Sequence, residues 1–235
     1  MAKPILVLNW KNHPNSLEEA KTLLREMSGK KSIYKKLSLF IAPPLPYFES
    51  VSAKFPLASQ DISVPEILKS FGVRLAIIGH SDRRAMGETA EEVSKKIKIA
   101  LRSGIIPLVC IGEKVRDTDG EHFEFLRGEL KELLGSLSKR EAEKLLIAYE
   151  PVWAIGKSAK DSINPDELSE TLLYMRKVLS DLFGRKIAEK IPILYGGSVE
   201  PLNAGALSPK VRGFLVGHAS LKAKNIEAIT KAITK

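Results

Sequence analysis

The segment Ile5-Leu6-Val7-Leu8-Asn9-Trp10-Lys11-Asn12 decides the fold. It opens as a short apolar run and closes on four residues that contain no glycine. Runs of the same kind follow at Leu37–Ala42, Leu57–Ser59, Leu75–Ile78, Ile105–Ile111, Leu145–Tyr149, Ile191–Tyr195 and Val211–Val216. None alternates strictly between apolar and polar residues, which is the pattern of strands covered on both faces of a parallel sheet. Amphipathic stretches lie between them. Leu17–Met27 follows Ser16, with Glu19 three residues on, and reads as a helix opened by a capping box. Glu88–Arg102 sets Val93, Ile97, Ala100 and Leu101 on one stripe and stops at Gly104. Pro165–Phe183 starts after Asn164, with proline at its first position, and ends at Gly184. Glu121–Leu134 and Asn225–Ile233 also read as helices. An open doubly wound sheet usually carries a glycine-rich phosphate turn after its first strand, and Asn9-Trp10-Lys11-Asn12 is not such a turn. The expectation is an α/β chain, a parallel eight-stranded sheet closed into a barrel with outer helices. No composition shift or linker divides residues 1–235, so a single domain is expected.

Composition narrows the partners less than the pattern narrows the fold. The chain carries 37 Lys+Arg against 28 Asp+Glu, a formal charge of +9 at pH 7. That excess suits nucleic acid, anionic lipid or a small anionic substrate alike. The lone Cys110 excludes an intrachain disulfide and a cysteine-cluster zinc site, and fits a reducing, cytoplasmic setting. In a buried fifth strand it reads as a small packed hydrophobe. No apolar run approaches the roughly 20 residues that cross a bilayer. Met1-Ala2-Lys3-Pro4 leads straight into a strand without the long apolar core of a signal peptide.

In a barrel, reactive residues stand at the C-terminal ends of strands. Lys11, His80 and Glu150 each follow an apolar run, so a cation, an imidazole and a carboxylate share one rim. Together they make an acid–base site for an anionic substrate. Each also has a structural reading: Lys11 as a solvated charge, His80 as the cap of the next helix, Glu150 as the partner of an arginine such as Arg83. Tyr195-Gly196-Gly197-Ser198 and Val216-Gly217-His218-Ala219-Ser220 follow the last two runs. Their glycines permit tight turns, and their backbone N–H groups can hold a phosphate.

The chain resembles the triosephosphate isomerase family along its whole length. The resemblance rests on Asn9-Trp10-Lys11-Asn12, on Gly79-His80-Ser81-Asp82-Arg83-Arg84 with Gly87-Glu88, and on Cys110-Ile111-Gly112-Glu113. It continues through Ala148-Tyr149-Glu150-Pro151-Val152-Trp153-Ala154-Ile155-Gly156, Tyr195-Gly196-Gly197-Ser198-Val199 and Gly213-Phe214-Leu215-Val216-Gly217. It implies a (β/α)8 TIM barrel that interconverts dihydroxyacetone phosphate and D-glyceraldehyde 3-phosphate through an enediolate. No metal and no organic cofactor are implied. Glu150 is then the base, His80 a neutral electrophile, and Lys11 the counter-charge, with Asn9 donating a hydrogen bond nearby. Gly156 lies on a lid that closes over the substrate and keeps water from the intermediate. Backbone N–H groups of Gly156, Ser198, Gly217 and His218 hold the phosphate, and Tyr195 and Ser198 latch the closed lid. A cytoplasmic homodimer working in glycolysis and gluconeogenesis is the family expectation.

Four positions depart from the family pattern. Asp82 stands where glutamate is usual, with a shorter reach. The lid runs from Gly156 directly into Lys157-Ser158-Ala159, with extra residues before Pro165. His218 replaces a second glycine, which requires its backbone to adopt dihedrals open to non-glycine residues. Between Asp61 and Phe71 the long third loop, which in the family reaches into a partner subunit, is missing. A dimer with a reduced third-loop contact is expected. Another sugar-phosphate barrel enzyme is the nearest alternative, but Schiff-base chemistry needs a lysine that Leu145–Tyr149 lacks, and an epimerase needs further acids or metal ligands at strand ends. A nucleic-acid binder should cluster its lysines on one element with interleaved aromatics. Here they spread over many segments and aromatics are 6% of the chain, so no nucleic-acid partner is expected. The charge beyond Lys11 reads as a solvated surface that helps solubility and modestly steers a dianion.

Overall fold

The computed structural model describes residues 3–158 and 162–234. Its strands are β1 Ile5–Asn9, β2 Ser38–Ala42, β3 Ala58–Ser59, β4 Leu75–Ile78, β5 Ile106–Ile111, β6 Leu146–Tyr149, β7 Ile193–Tyr195 and β8 Gly213–Val216. All pair in parallel, in the order β2-β1-β8-β7-β6-β5-β4-β3. The two ends of that order meet at one parallel bridge, Ile41 with Leu57, where the Ile41 N–H donates to the Pro56 carbonyl at 3.0 Å. The barrel is therefore nearly closed, with a thin seam between β2 and β3.

Strand periodicity divides the apolar residues into two compartments. One set points into the barrel: Val7, Ala42, Ala58, Leu75, Ile77, Leu108, Cys110, Leu146, Ala148, Leu194 and Leu215. Small residues on some strands face branched ones on others, which fills a narrow interior with side chains and leaves no channel. The alternate set, including Leu6, Leu8, Ile78, Ile111, Ile147 and Phe214, packs outward against the helices. Burial on both faces is why no strand shows polar alternation.

The long helices begin and end where capping chemistry dictates. Leu17–Ser28 is capped by Ser16, whose hydroxyl accepts the Glu19 N–H; Glu19 itself turns back to the Asn15 N–H, so the expected box is only half formed. Ala90–Ser103 starts two residues later than expected, because Thr89 and Glu92 make a full capping box. Pro165–Phe183 is capped by Asn164, which accepts from the Asp166 and Glu167 N–H groups. The last helix runs Ala223–Ile233. The third connection is short: β3 is followed by Gln60, Asp61, Ile62, Ser63 and Val64, and then by the helix Pro65–Ser70. Among the described residues, no helix is long and apolar enough to cross a membrane.

Candidate active site

Right-handed βαβ crossovers bring every strand out on the same rim. There the ends of β1, β4, β6, β7 and β8 surround a cavity of about 550 Å³. Asn9, Lys11, His80, Glu150, Gly156, Ser198, Gly217 and His218 all line it. Of the expected site residues, Tyr195 alone does not line the cavity. Its hydroxyl is buried under the following turn, where a Cβ on Gly197 would overlap it. Burial pushes that hydroxyl's pKa up, against the nearby Ile163 backbone.

Lys11 leaves β1 with φ at 52°, the left-handed region that a lysine rarely adopts. Two neighbours hold it there. The Asn9 side-chain oxygen accepts the Lys11 N–H at 2.9 Å, and the Gln60 side-chain amide donates to the Lys11 carbonyl at 2.7 Å and to that of Ala42 at 3.0 Å. The ammonium then reaches Asp82, with Nζ 3.0 Å from Oδ2. The shorter aspartate still spans the gap.

His80 directly follows Gly79 at the end of β4 and caps the short helix Ser81–Ala85. Its Nδ1 accepts the Asp82 N–H at 3.1 Å. A backbone N–H can only donate, so in this contact Nδ1 is the acceptor and Nε2 is the nitrogen left to donate. That nitrogen faces Glu150, with Nε2 3.1 Å from Oε1. The other Glu150 oxygen accepts the Ser81 N–H at 3.3 Å. His80 is thus a cap and a cavity wall together. Glu150 does not pair with Arg83, which turns instead to Asp61 at 2.8 Å.

Both His80 and Glu150 are buried, so their contact is shielded from water. Glu150 fits because Gly196 has no side chain: a Cβ there would come within 2.8 Å of the Glu150 Cγ. The Cys110 thiol also faces this carboxylate from inside the barrel, and burial with the nearby charge pushes its pKa well up. It stays a packed thiol.

The phosphate-type loops close the far side. Gly217 lies against Lys11, for a Cβ on it would sit 3.7 Å from the Lys11 Cε. Among the described residues Lys11 is the only non-glycine with positive φ, so His218 occupies its turn without backbone strain. Gly156 has φ at 75°, and glycine is what that turn needs. The lid reading reaches Ala159, which lies outside the described residues together with 160 and 161. Either side of that stretch is tied down: the Ser198 hydroxyl donates to the Ala154 carbonyl at 2.8 Å, and the Asn203 side chain donates to the Ser162 hydroxyl at 3.1 Å.

Several residues that support the site carry no sequence signal of their own role. Glu113 belongs to the run Cys110-Ile111-Gly112-Glu113, but its role emerges only in three dimensions. Its Oε1 accepts from the Tyr149 hydroxyl and the Trp153 indole, both at 2.8 Å, and from Arg116 at 3.3 Å. Gln60 works through two backbone carbonyls at the ends of other strands, a relation that no local spacing encodes. Glu129 could have been flagged only as an acidic position on the apolar face of a helix.

The chain is similar to known proteins along most of its length. The family model for triosephosphate isomerase matches residues 4–233. Triosephosphate isomerase of Fusobacterium nucleatum is 36% identical over 252 aligned positions, covering 99% of each chain. That of Citrifermentans bemidjiense is 36% identical over 253, covering 98% of this chain and 99% of the relative. Over a shorter stretch of 171, the Clostridium botulinum (strain Okra) enzyme is 46% identical, covering 70% of this chain and 67% of its own. With a barrel, a shared rim and a match over nearly its full length, the chain belongs to the triosephosphate isomerase family.

Proposed function

We propose that Glu150, His80 and Lys11 carry out the family's reaction, the interconversion of dihydroxyacetone phosphate and D-glyceraldehyde 3-phosphate in glycolysis and gluconeogenesis. The observation that carries this assignment is the His80 Nε2–Glu150 Oε1 contact of 3.1 Å, beside a lysine in one cavity. The substrate phosphate sits against the backbone N–H groups of Gly156, Ser198, Gly217 and His218, which places the carbon chain toward the buried pair. The substrate carbonyl takes over the Nε2–H that His80 now donates to Glu150, and this frees the carboxylate. Glu150 removes a proton from C1, the electron pair moves to the C2 oxygen, and an enediolate forms. His80 passes its Nε2 hydrogen to the C2 oxygen and takes the hydroxyl proton from the C1 oxygen, and return of the carbon-bound proton from Glu150 to C2 then leaves the aldehyde at C1, with both residues back in their starting states. A neutral imidazole suits this step, because it donates to the developing oxyanion without a charge to neutralise. Lys11 balances the phosphate and the oxyanion, held in reach by Asp82.

Tyr195 and Ser198 are proposed as the lid's latch, supported by the Ser198–Ala154 bond. The chain is read as one barrel domain that acts in the cytoplasm and needs neither metal nor cofactor. A homodimer is proposed as well. Leu45, Val64, Ile67 and Met86 stand exposed on the segments after β2, β3 and β4, where a second copy would cover them. A coupled isomerase assay with Glu150→Gln, Glu150→Asp and His80→Gln tests the chemistry. Loss of about 1,000-fold or more in kcat for Glu150→Gln is expected, since both proton transfers at carbon pass through that group. An intact rate in that variant sinks the assignment.

A further inference from the structure

Beneath the rim lies a buried ion pair that these steps do not use. Glu129 is buried on the helix Glu121–Leu134, and Arg84 reaches it from Ser81–Ala85, with Nη1 2.8 Å from Oε1. Arg84 also donates through Nε to the Gly79 carbonyl at 2.7 Å and through Nη2 to the Cys110 carbonyl at 3.1 Å. The second Glu129 oxygen accepts the Gly112 N–H at 2.9 Å. These backbone groups flank the chemistry. Gly79 is the residue before His80. Cys110 and Gly112 bracket Ile111, whose carbonyl accepts the Glu150 N–H at 2.8 Å. Gly112 packs so tightly on the Glu150 backbone that a Cβ there would overlap the Glu150 carbonyl. Neither Arg84 nor Glu129 lines the cavity.

Burying two opposite charges is a poor route to stability, because desolvation offsets most of their attraction. The pair joins the peptide that leads into the electrophile to the strand end on which the base rests. We propose that Glu129 and Arg84 are positioning residues for the isomerisation, setting the separation of His80 and Glu150 through the peptide groups on either side. The inference rests on the isomerase reading above. The binding loops after β6, β7 and β8 are not held by this pair, so the effect falls on turnover and leaves substrate affinity alone.

Glu129→Gln keeps an acceptor for the Gly112 N–H and removes the charge that orients Arg84. Its kcat should fall about 10- to 100-fold, with KM changed less than about twofold. Arg84→Lys keeps the charge but gives up the forked contact to two carbonyls, so it should show the same split; it also serves if Glu129→Gln does not fold. Glu132→Gln, an exposed change on the same helix, is the control and should match the wild type. A second readout needs no turnover. In histidine-labelled protein the His80 Nε2–H resonance, assigned with His80→Gln, reports the contact to Glu150. It should move in Glu129→Gln and stay put in Glu132→Gln. An unmoved resonance with unchanged kcat overturns the proposal, as does a loss of rate fully accounted for by a smaller folded fraction in circular dichroism. A wild type without isomerase activity would fail the functional reading, while the resonance would still judge the positioning role.

Discussion

A lysine backbone in the left-handed region costs about 1–2 kcal/mol, and Lys11 sits there at φ 52°. The cost is tolerated because Asn9 and Gln60 grip its N–H and its carbonyl. Asn9 and Lys11 were legible in the sequence as polar residues ending an apolar run. Gln60 was not, because its partners, just past the end of β1 and at the end of β2, lie 49 and 18 residues away. Glu129 makes the same point with a measurable sign. Burial pushes it up to about 7 from an ordinary 4.5, outweighing Arg84 and the Gly112 N–H, while Glu113 and Glu150 raise it further. A carboxyl raised by folding holds its proton more tightly in the native state. Its contribution to stability is full below pH 4.5 and lost as the pH climbs through about 7. The shift corresponds to about 3 kcal/mol. Melts of Glu129→Gln should therefore lack a decline that the wild type shows between those two pH values. An equal decline in both proteins would place its origin elsewhere.

The segment from β6 to Pro165–Phe183 shows how an element can be recognised before its mechanics are. The motif ending at Gly156 marked the segment proposed as the lid, and Asn164 with Pro165 located the helix after it. The fastening was hidden, since it joins Ala154 to Ser198 and Ser162 to Asn203 across the rim. Trp153 is the near anchor: its indole donates to Glu113 while Arg116 and Lys157 lie over its ring at 5.8 and 5.4 Å. Trp153→Phe keeps an aromatic surface for both cations and deletes the hydrogen bond. Urea unfolding should show a loss of about 1 kcal/mol, and initial rates a kcat/KM lower by about fivefold if the same bond steadies closure. Unchanged kinetics would separate the lid from Glu113.

At the scale of the molecule, the alternation of runs and helices made the barrel legible, because burial on both faces of a strand leaves a continuous apolar signature. The distribution of charge was not legible. Seven of the eight segments leading into a strand carry a cation (Lys3, Lys36, Lys54, Arg74, Lys144, Lys190 and Arg212), Arg102 stands in the last turn of the helix before the other, and all lie at the end opposite the cavity. Residues far apart in the chain gather there because every strand starts on that side, where cations also offset the C-terminal dipoles of the outer helices. The abbreviated third connection bears on assembly. Five residues between β3 and the helix Pro65–Ser70 leave little to insert into a neighbour, so the proposed dimer should be weak. A sedimentation series should show dissociation as protein falls to nanomolar levels, and a persistent dimer there would refute this. The seam between β2 and β3 has a different consequence. With one bridge, as between β7 and β8, it is a place where the wall should open readily. The Ile41 amide should exchange with deuterium sooner than amides of β1, each of whose residues pairs with β2. Gln60 ties Lys11 to this edge, so whatever orders the ammonium must also slow that exchange, by the reciprocity of coupled equilibria. Ile41 then becomes a clock for occupancy of the site, readable without any turnover at all.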